Sequence, residues 1–180
     1  MGMYHLLQVA PLLALLALGA AIDLKCRRIP NWLTGTIALG GLLQTTWSGS
    51  TLTFGQALLG MLVGFALPFV LYAIGALGGG DVKLLSGLGS WVGAAAVVKV
   101  FLIAAVVGMI IVLAQALWQR RLTNLFRNSA VLTMSLANLD AVGTKTLAET
   151  GQSCRSVDRP LPYAVPVLLS VVLLMAATWR

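Results

Sequence analysis

Residues 4–28 read YHLLQVAPLLALLALGAAIDLKCRR. No charged side chain occurs from Leu6 to Ile22, and then Asp23, Lys25, Arg27 and Arg28 follow in quick succession. An apolar run of this length ended by a knot of charge fits a helix that crosses a bilayer and stops at its surface. About 20 residues rising ~1.5 Å each span the hydrocarbon core. A cleaved signal peptide would carry its positive charge before the apolar run. Here only His5 precedes it.

The rest of the chain repeats the pattern. Of its 180 residues, 59% are hydrophobic and 9% charged, and mean hydropathy is +0.94. A soluble fold of this size would expose large apolar patches, which soluble monomers rarely do. A membrane β-barrel would show short alternating segments, and this chain shows long unbroken runs. Spans are expected at about Tyr4–Ile22, Trp32–Trp47, Phe54–Leu77, Leu84–Val98, Val100–Trp118 and Leu161–Trp179, with the fourth and fifth parted at Lys99. The expected fold is all-α: a polytopic membrane bundle of about six transmembrane helices, forming one domain over residues 1–180. Gly60–Gly64 and Gly89–Gly93 have the small-xxx-small spacing that lets helix backbones approach closely.

Six spans with the N-terminus outside place 23–31, 78–83 and 119–160 in the cytoplasm. These loops hold ten of the 12 Lys and Arg, as the positive-inside rule requires. The net charge of +7 and pI of about 10.1 are thereby explained without nucleic acid. Within 119–160, Leu122, Leu125, Phe126, Leu132, Leu136 and Leu139 recur at roughly helical spacing. This fits either an interfacial helix or a linker. Cys26 and Cys154 belong to no CxxC and have no His beside them, so neither a zinc site nor a disulfide is expected.

Five acids are present. Asp140, Glu149 and Asp158 read as solvated loop charges. Asp23 and Asp81 each follow directly on an apolar run, where an acid is costly unless paired, hydrated or functional. The chain crosses the membrane twice between them, so both return to one face. Two carboxyls that meet cannot both ionise cheaply and share a proton. The ionised one can activate water while the protonated one donates to a carbonyl oxygen. The soluble aspartic proteases work by this chemistry. The sole His, His5, lies at the opposite face, which excludes a Ser-His or Cys-His arrangement. Gly78-Gly79-Gly80 before Asp81 allows close approach of a substrate backbone, or forms a helix C-cap and tight turn. Lys25, Arg27, Arg28 and Lys83 flank the two acids and set topology, and a second role open to them is to stabilise a carboxylate. Two acids without His or Cys partners are a poor metal set, and no cofactor is expected.

The string Asp23-Leu24-Lys25-Cys26-Arg27-Arg28-Ile29-Pro30-Asn31 resembles the first-aspartate motif of type IV prepilin peptidases. Gly78-Gly79-Gly80-Asp81-Val82-Lys83 is similar to their GxGD motif, and Leu161-Pro162-Tyr163-Ala164-Val165-Pro166 resembles the start of their last span. The resemblance implies a membrane aspartic endopeptidase of the bacterial inner membrane. Such an enzyme removes the basic leader of prepilins or pseudopilins at the cytoplasmic face, with Asp23 and Asp81 as its acids and Gly78, Gly80, Lys83, Pro30 and Asn31 in support. Larger members carry paired cysteines and N-methylate the product. The short first loop here, without such cysteines, resembles the compact Flp-type peptidases and implies no methyltransferase activity. Membrane lipid is the other expected partner. A small transporter or a non-catalytic scaffold of a pilus machine would also use such a bundle. A transporter would place its acids near the midplane, and here they sit at span ends.

Overall fold

The computed structural model describes residues 2–46, 52–74, 77–118 and 163–178. Among them are six α-helices and no strand: α1 (Gly2–Cys26), α2 (Asn31–Leu43), α3 (Phe54–Ala73), α4 (Gly79–Val92), α5 (Ala94–Trp118) and α6 (Ala164–Thr178). A 3₁₀ turn, Gln44–Thr46, extends α2. The protein is a helical membrane bundle, and Phe54–Ala73 and Ala94–Ala114 are each long and apolar enough to cross a bilayer. Exposed apolar side chains such as Leu62, Phe69, Val70, Met109 and Ile110 stud its outside, where lipid is the solvent.

The helices run alternately: short connections set the directions of the first five, and the contact of Ala164 with Asp23 sets that of α6. Arg27–Pro30 alone joins α1 to α2, and Gly93 alone joins α4 to α5. The C-terminal ends of α1, α3 and α5 therefore share one end of the bundle with the N-terminal ends of α2, α4 and α6. A core of Leu12, Leu16, Leu33, Ile37, Leu84, Leu85, Leu88, Val100 and Val167 runs through it.

Helix α4 is the hub, packed between α2 and α3. Lipid tails are as apolar as leucine, so close packing and hydrogen bonds hold such helices together. Gly60 on α3 and Gly89 on α4 face each other so closely that a methyl on either would fall on the other's carbonyl. Gly64 meets the Leu85 backbone, and Gly41 on α2 meets Ser90. The small-residue spacing at Gly60–Gly64 is thus an interface. Polar side chains add to it: Ser86 Oγ donates to the Met61 carbonyl at 3.1 Å, Ser90 Oγ to Ala38 at 3.2 Å, and Trp91 Nε1 to Ile37 at 2.6 Å.

Several expected boundaries shift. The break between the fourth and fifth helices lies at Gly93, not at Lys99. Gly93 has φ +80°, a conformation that ends a helix and that glycine adopts without strain. Lys99 continues α5 with its side chain exposed, as a long aliphatic stem permits. Helix α1 runs past Ile22 to Cys26, so Asp23 belongs to its last turn. Gly78-Gly79-Gly80 does not close α3, which ends at Ala73; it opens α4, with Gly78 as N-cap. The expected features of 119–160, including the interfacial stripe, Cys154 and the three loop acids, lie outside the described residues.

Candidate active site

Asp23 is held by the end of α1. The Arg27 amide donates to the Asp23 carbonyl at 2.8 Å, and Arg27 itself has φ +53°. This is a left-handed helix cap, a position that usually falls to glycine or asparagine. The cap turns the chain sharply into Ile29 and Pro30. Pro30, at φ −67° and ψ 139°, then starts α2, since its ring pre-sets the backbone angle at a helix start. The Asp23 side chain points into the bundle and is only 5% exposed. Its Oδ2 accepts a hydrogen bond from the Ala164 amide at 3.1 Å, at the start of α6.

Asp81 occupies the first turn of α4. Its Oδ2 accepts from the Gly78 amide at 3.1 Å, satisfying a donor that the helix leaves free. A carboxylate there also meets the positive end of the helix dipole, which is why the glycine run begins a helix instead of ending one. Asp81 is half-buried. The space above Gly80 and Gly79 is narrow: a Cβ at Gly80 would touch Ile29 at 3.4 Å, and one at Gly79 would touch the Tyr72 ring at 3.5 Å.

The two acids lie beyond the apolar stretches of their helices and sense one another. Burial raises the Asp81 pKa to about 7, against the Gly78 hydrogen bond, and the Asp23 charge pushes it the same way. Burial also raises Asp23, opposed by the Ala164 amide and by Arg27. Tyr163, next to the Ala164 that binds Asp23, is within electrostatic range of Asp81. Three helices, α1, α4 and α6, therefore converge on one polar spot. Such a pair can divide proton acceptance and donation between two carboxyls.

The supporting residues gather here too. Lys83 Nζ donates to Asn31 Oδ1 at 2.9 Å, tying the first motif to the second. The bond is exposed, and the lysine serves an amide here, not a carboxylate. It should contribute about 0.5–1.5 kcal/mol. A double-mutant cycle with Lys83→Met and Asn31→Ala, read by thermal unfolding in detergent, should return a coupling of that size; strictly additive losses would show the contact to be idle. Cys26 is exposed and unpaired. No group of three or more His, Cys, Asp or Glu side chains gathers to hold a metal among the described residues. His5 lies near the start of α1, at the other end from Asp23.

The profile of the type IV leader peptidase family matches residues 10–113, a stretch that carries both acids. The chain belongs to this family. A prepilin leader peptidase/N-methyltransferase of Pectobacterium carotovorum is 36% identical over 109 residues, covering 57% of this chain and 39% of its own. An enzyme of the same description from Burkholderia pseudomallei is 35% identical over 116 residues, covering 61% and 37%. A type 4 prepilin-like proteins leader peptide-processing enzyme of Escherichia coli is 38% identical over 111 residues, covering 58% and 41%. The chain thus spans about two fifths of the length of the curated relatives it matches. No solved structure matches it. The family match ends before α6, so the Ala164 contact lies outside the matched stretch.

Sequence reasoning misses two neighbours of the acids. Tyr163 and Ala164 stand in a motif already quoted, which signals the place but no role. The contact of Ile29 with Gly80 is also new, although both residues flank the motifs.

Proposed function

We propose that this protein is a membrane aspartic endopeptidase that removes the leader of type IV, Flp-like prepilins, with Asp23 and Asp81 as its catalytic acids. The observation that carries this reading is the convergence of these two motif aspartates at one end of the bundle, each bonded to a backbone amide and each raised by burial. The family membership and the names of the relatives support the substrate class. Lys25, Arg27, Arg28 and Lys83 lie at the same end, so the positive-inside rule puts the site at the cytoplasmic face of the inner membrane, with the N-terminus outside. The acids sit at helix ends and not at a midplane, which favours a peptidase over a transporter. The reading concerns leader cleavage, and the short Arg27–Pro30 connection between the first two helices supports its compact form.

One carboxylate takes a proton from water as the water oxygen bonds to the scissile carbonyl carbon. The other carboxyl gives its proton to the carbonyl oxygen. On collapse the C–N bond breaks, the leaving nitrogen takes the proton held by the first carboxyl, and the second recovers its own from a hydroxyl. No acyl-enzyme forms.

The test is incubation of the detergent-solubilised full chain with a Flp-like prepilin, followed by mass spectrometry of the products. A single cut between the basic leader and the apolar helix is expected; intact substrate with a folded enzyme across pH 5–8 rejects the reading. The pH profile adds a second outcome. Asp81 must hold its proton to donate it, and it does so below its raised pKa of about 7. The rate should therefore fall as pH rises through about 7. A rate that stays level to about pH 9 would remove Asp81 from the acid role.

A further inference from the structure

The partner of Asp23 Oδ2 is 141 positions away in the chain. Ala164 is 1% exposed and opens α6. Its N–H therefore has no acceptor within its own helix, and Asp23 supplies one. The geometry is that of a buried carboxylate docked on the positive end of a neighbouring helix.

We propose that the Ala164 amide is a positioning group of the active centre, which holds Asp23 as the ionised, water-activating member and leaves Asp81 to carry the proton. This rests on the aspartic peptidase reading above. A backbone donor aimed at a carboxylate favours its charged form and fixes the plane of the group. With Oδ2 engaged, Oδ1 is the atom that takes the proton from water.

The surroundings of Asp23 favour the same division. Arg27, just past the end of α1, favours its charge. Asp81 on α4 and Tyr163 at the head of α6 are the titratable groups opposite, and α2 carries no titratable side chain. Lys25 and Arg28 also flank the site, and Lys83 is engaged by Asn31. Among the described residues Asp81 accepts from Gly78 at its own helix start, and burial, with the Asp23 charge, pushes it up to about 7 against that bond. Docking of α6 against α1 becomes a condition for activity.

Ala164→Pro deletes this one donor. Proline is tolerated in the first turn of a helix, and the residue before it takes an extended cap conformation. The variant should unfold within a few degrees of the wild type, and the acid limb of its pH–rate profile should move up by about one unit, a tenfold change in proton affinity. The alkaline limb near pH 7 should stay. Ala164→Gly keeps the N–H and should restore the acid limb. An unmoved acid limb in folded Ala164→Pro overturns the proposal. If that variant does not fold, carbon-13 NMR of the aspartate-labelled full chain in micelles decides, with signals assigned through Asp23→Asn and Asp81→Asn. Asp23 titrating below Asp81 is the expected order, and the reverse overturns the proposal. Failure of the peptidase reading is separate: it would appear as no cleavage by the wild type, while the titration order still reports on the amide.

Discussion

Asp23→Asn and Asp81→Asn should each lower prepilin cleavage by roughly 10²–10⁴-fold, the usual contribution of a positioned acid or base. The amide keeps the shape of the side chain and can still accept from Ala164 or Gly78, so the bundle should fold. What is lost is a proton that can be exchanged. In the proposed mechanism the two carboxyls act on one water, so the double variant should be scarcely worse than either single one. Cleavage by either variant at more than about a tenth of the wild-type rate would end the proposed pairing. A stability readout separates loss of chemistry from loss of fold. The Asp81 pKa is raised from 3.8 to about 7. Its contribution to stability is thus full below about pH 4 and is lost as pH rises to about 7, because the unfolded chain ionises first. Asp81→Asn escapes this loss. It should melt higher than the wild type at pH 8, by a margin that shrinks as pH falls toward 4. An inactive but more heat-stable enzyme is the expected signature of a site held in a costly state.

The second large effect is expected far from the acids. Gly89→Val should abolish accumulation of folded protein, and Gly60→Val should do the same. A methyl at Gly89 already falls on the Gly60 carbonyl, and one at Gly60 on that of Gly89. Neither obstacle is a flexible side chain, so the helices must part. Overpacking of this kind costs about 1–3 kcal/mol or more, and here it also separates α4 from the helix it packs against, disturbing the element that positions Asp81. Gly35 and Gly55 provide the control, since a Cβ at either meets nothing within 4 Å. Gly35→Ala should be neutral or stabilise by about 0.5–1 kcal/mol through helix propensity. Thermal unfolding in detergent reads all of these. A Gly89→Val protein that melts like the wild type would show that α3 and α4 do not pack backbone to backbone.

The residues differ in how visible their roles are. The apolar runs ending at Ile22 and beginning at Phe54 announce helices in lipid, because composition over about 20 residues is a local property. Gly60–Gly64 is legible for the same reason: its spacing of four places both glycines on one helix face. The glycine run before Asp81 is ambiguous. Three glycines suit either end of a helix, and only the hydrogen bond from Gly78 to Asp81 shows that a helix begins there. The break at Gly93 is hidden behind Lys99, because a charge is conspicuous in an apolar run while a positive φ leaves no mark beyond one more glycine among 19.

Taken alone, the amino-acid order determined that this chain is a bundle of membrane helices and which family motifs surround Asp23 and Asp81. The tertiary structure decided the partners: Ala164 for Asp23, Gly78 for Asp81, and Asn31 for Lys83. The physical reason is that burial and periodicity are written in side chains, residue by residue. A backbone amide is the same at every position, and which one meets a carboxylate across 141 positions depends on how the helices pack.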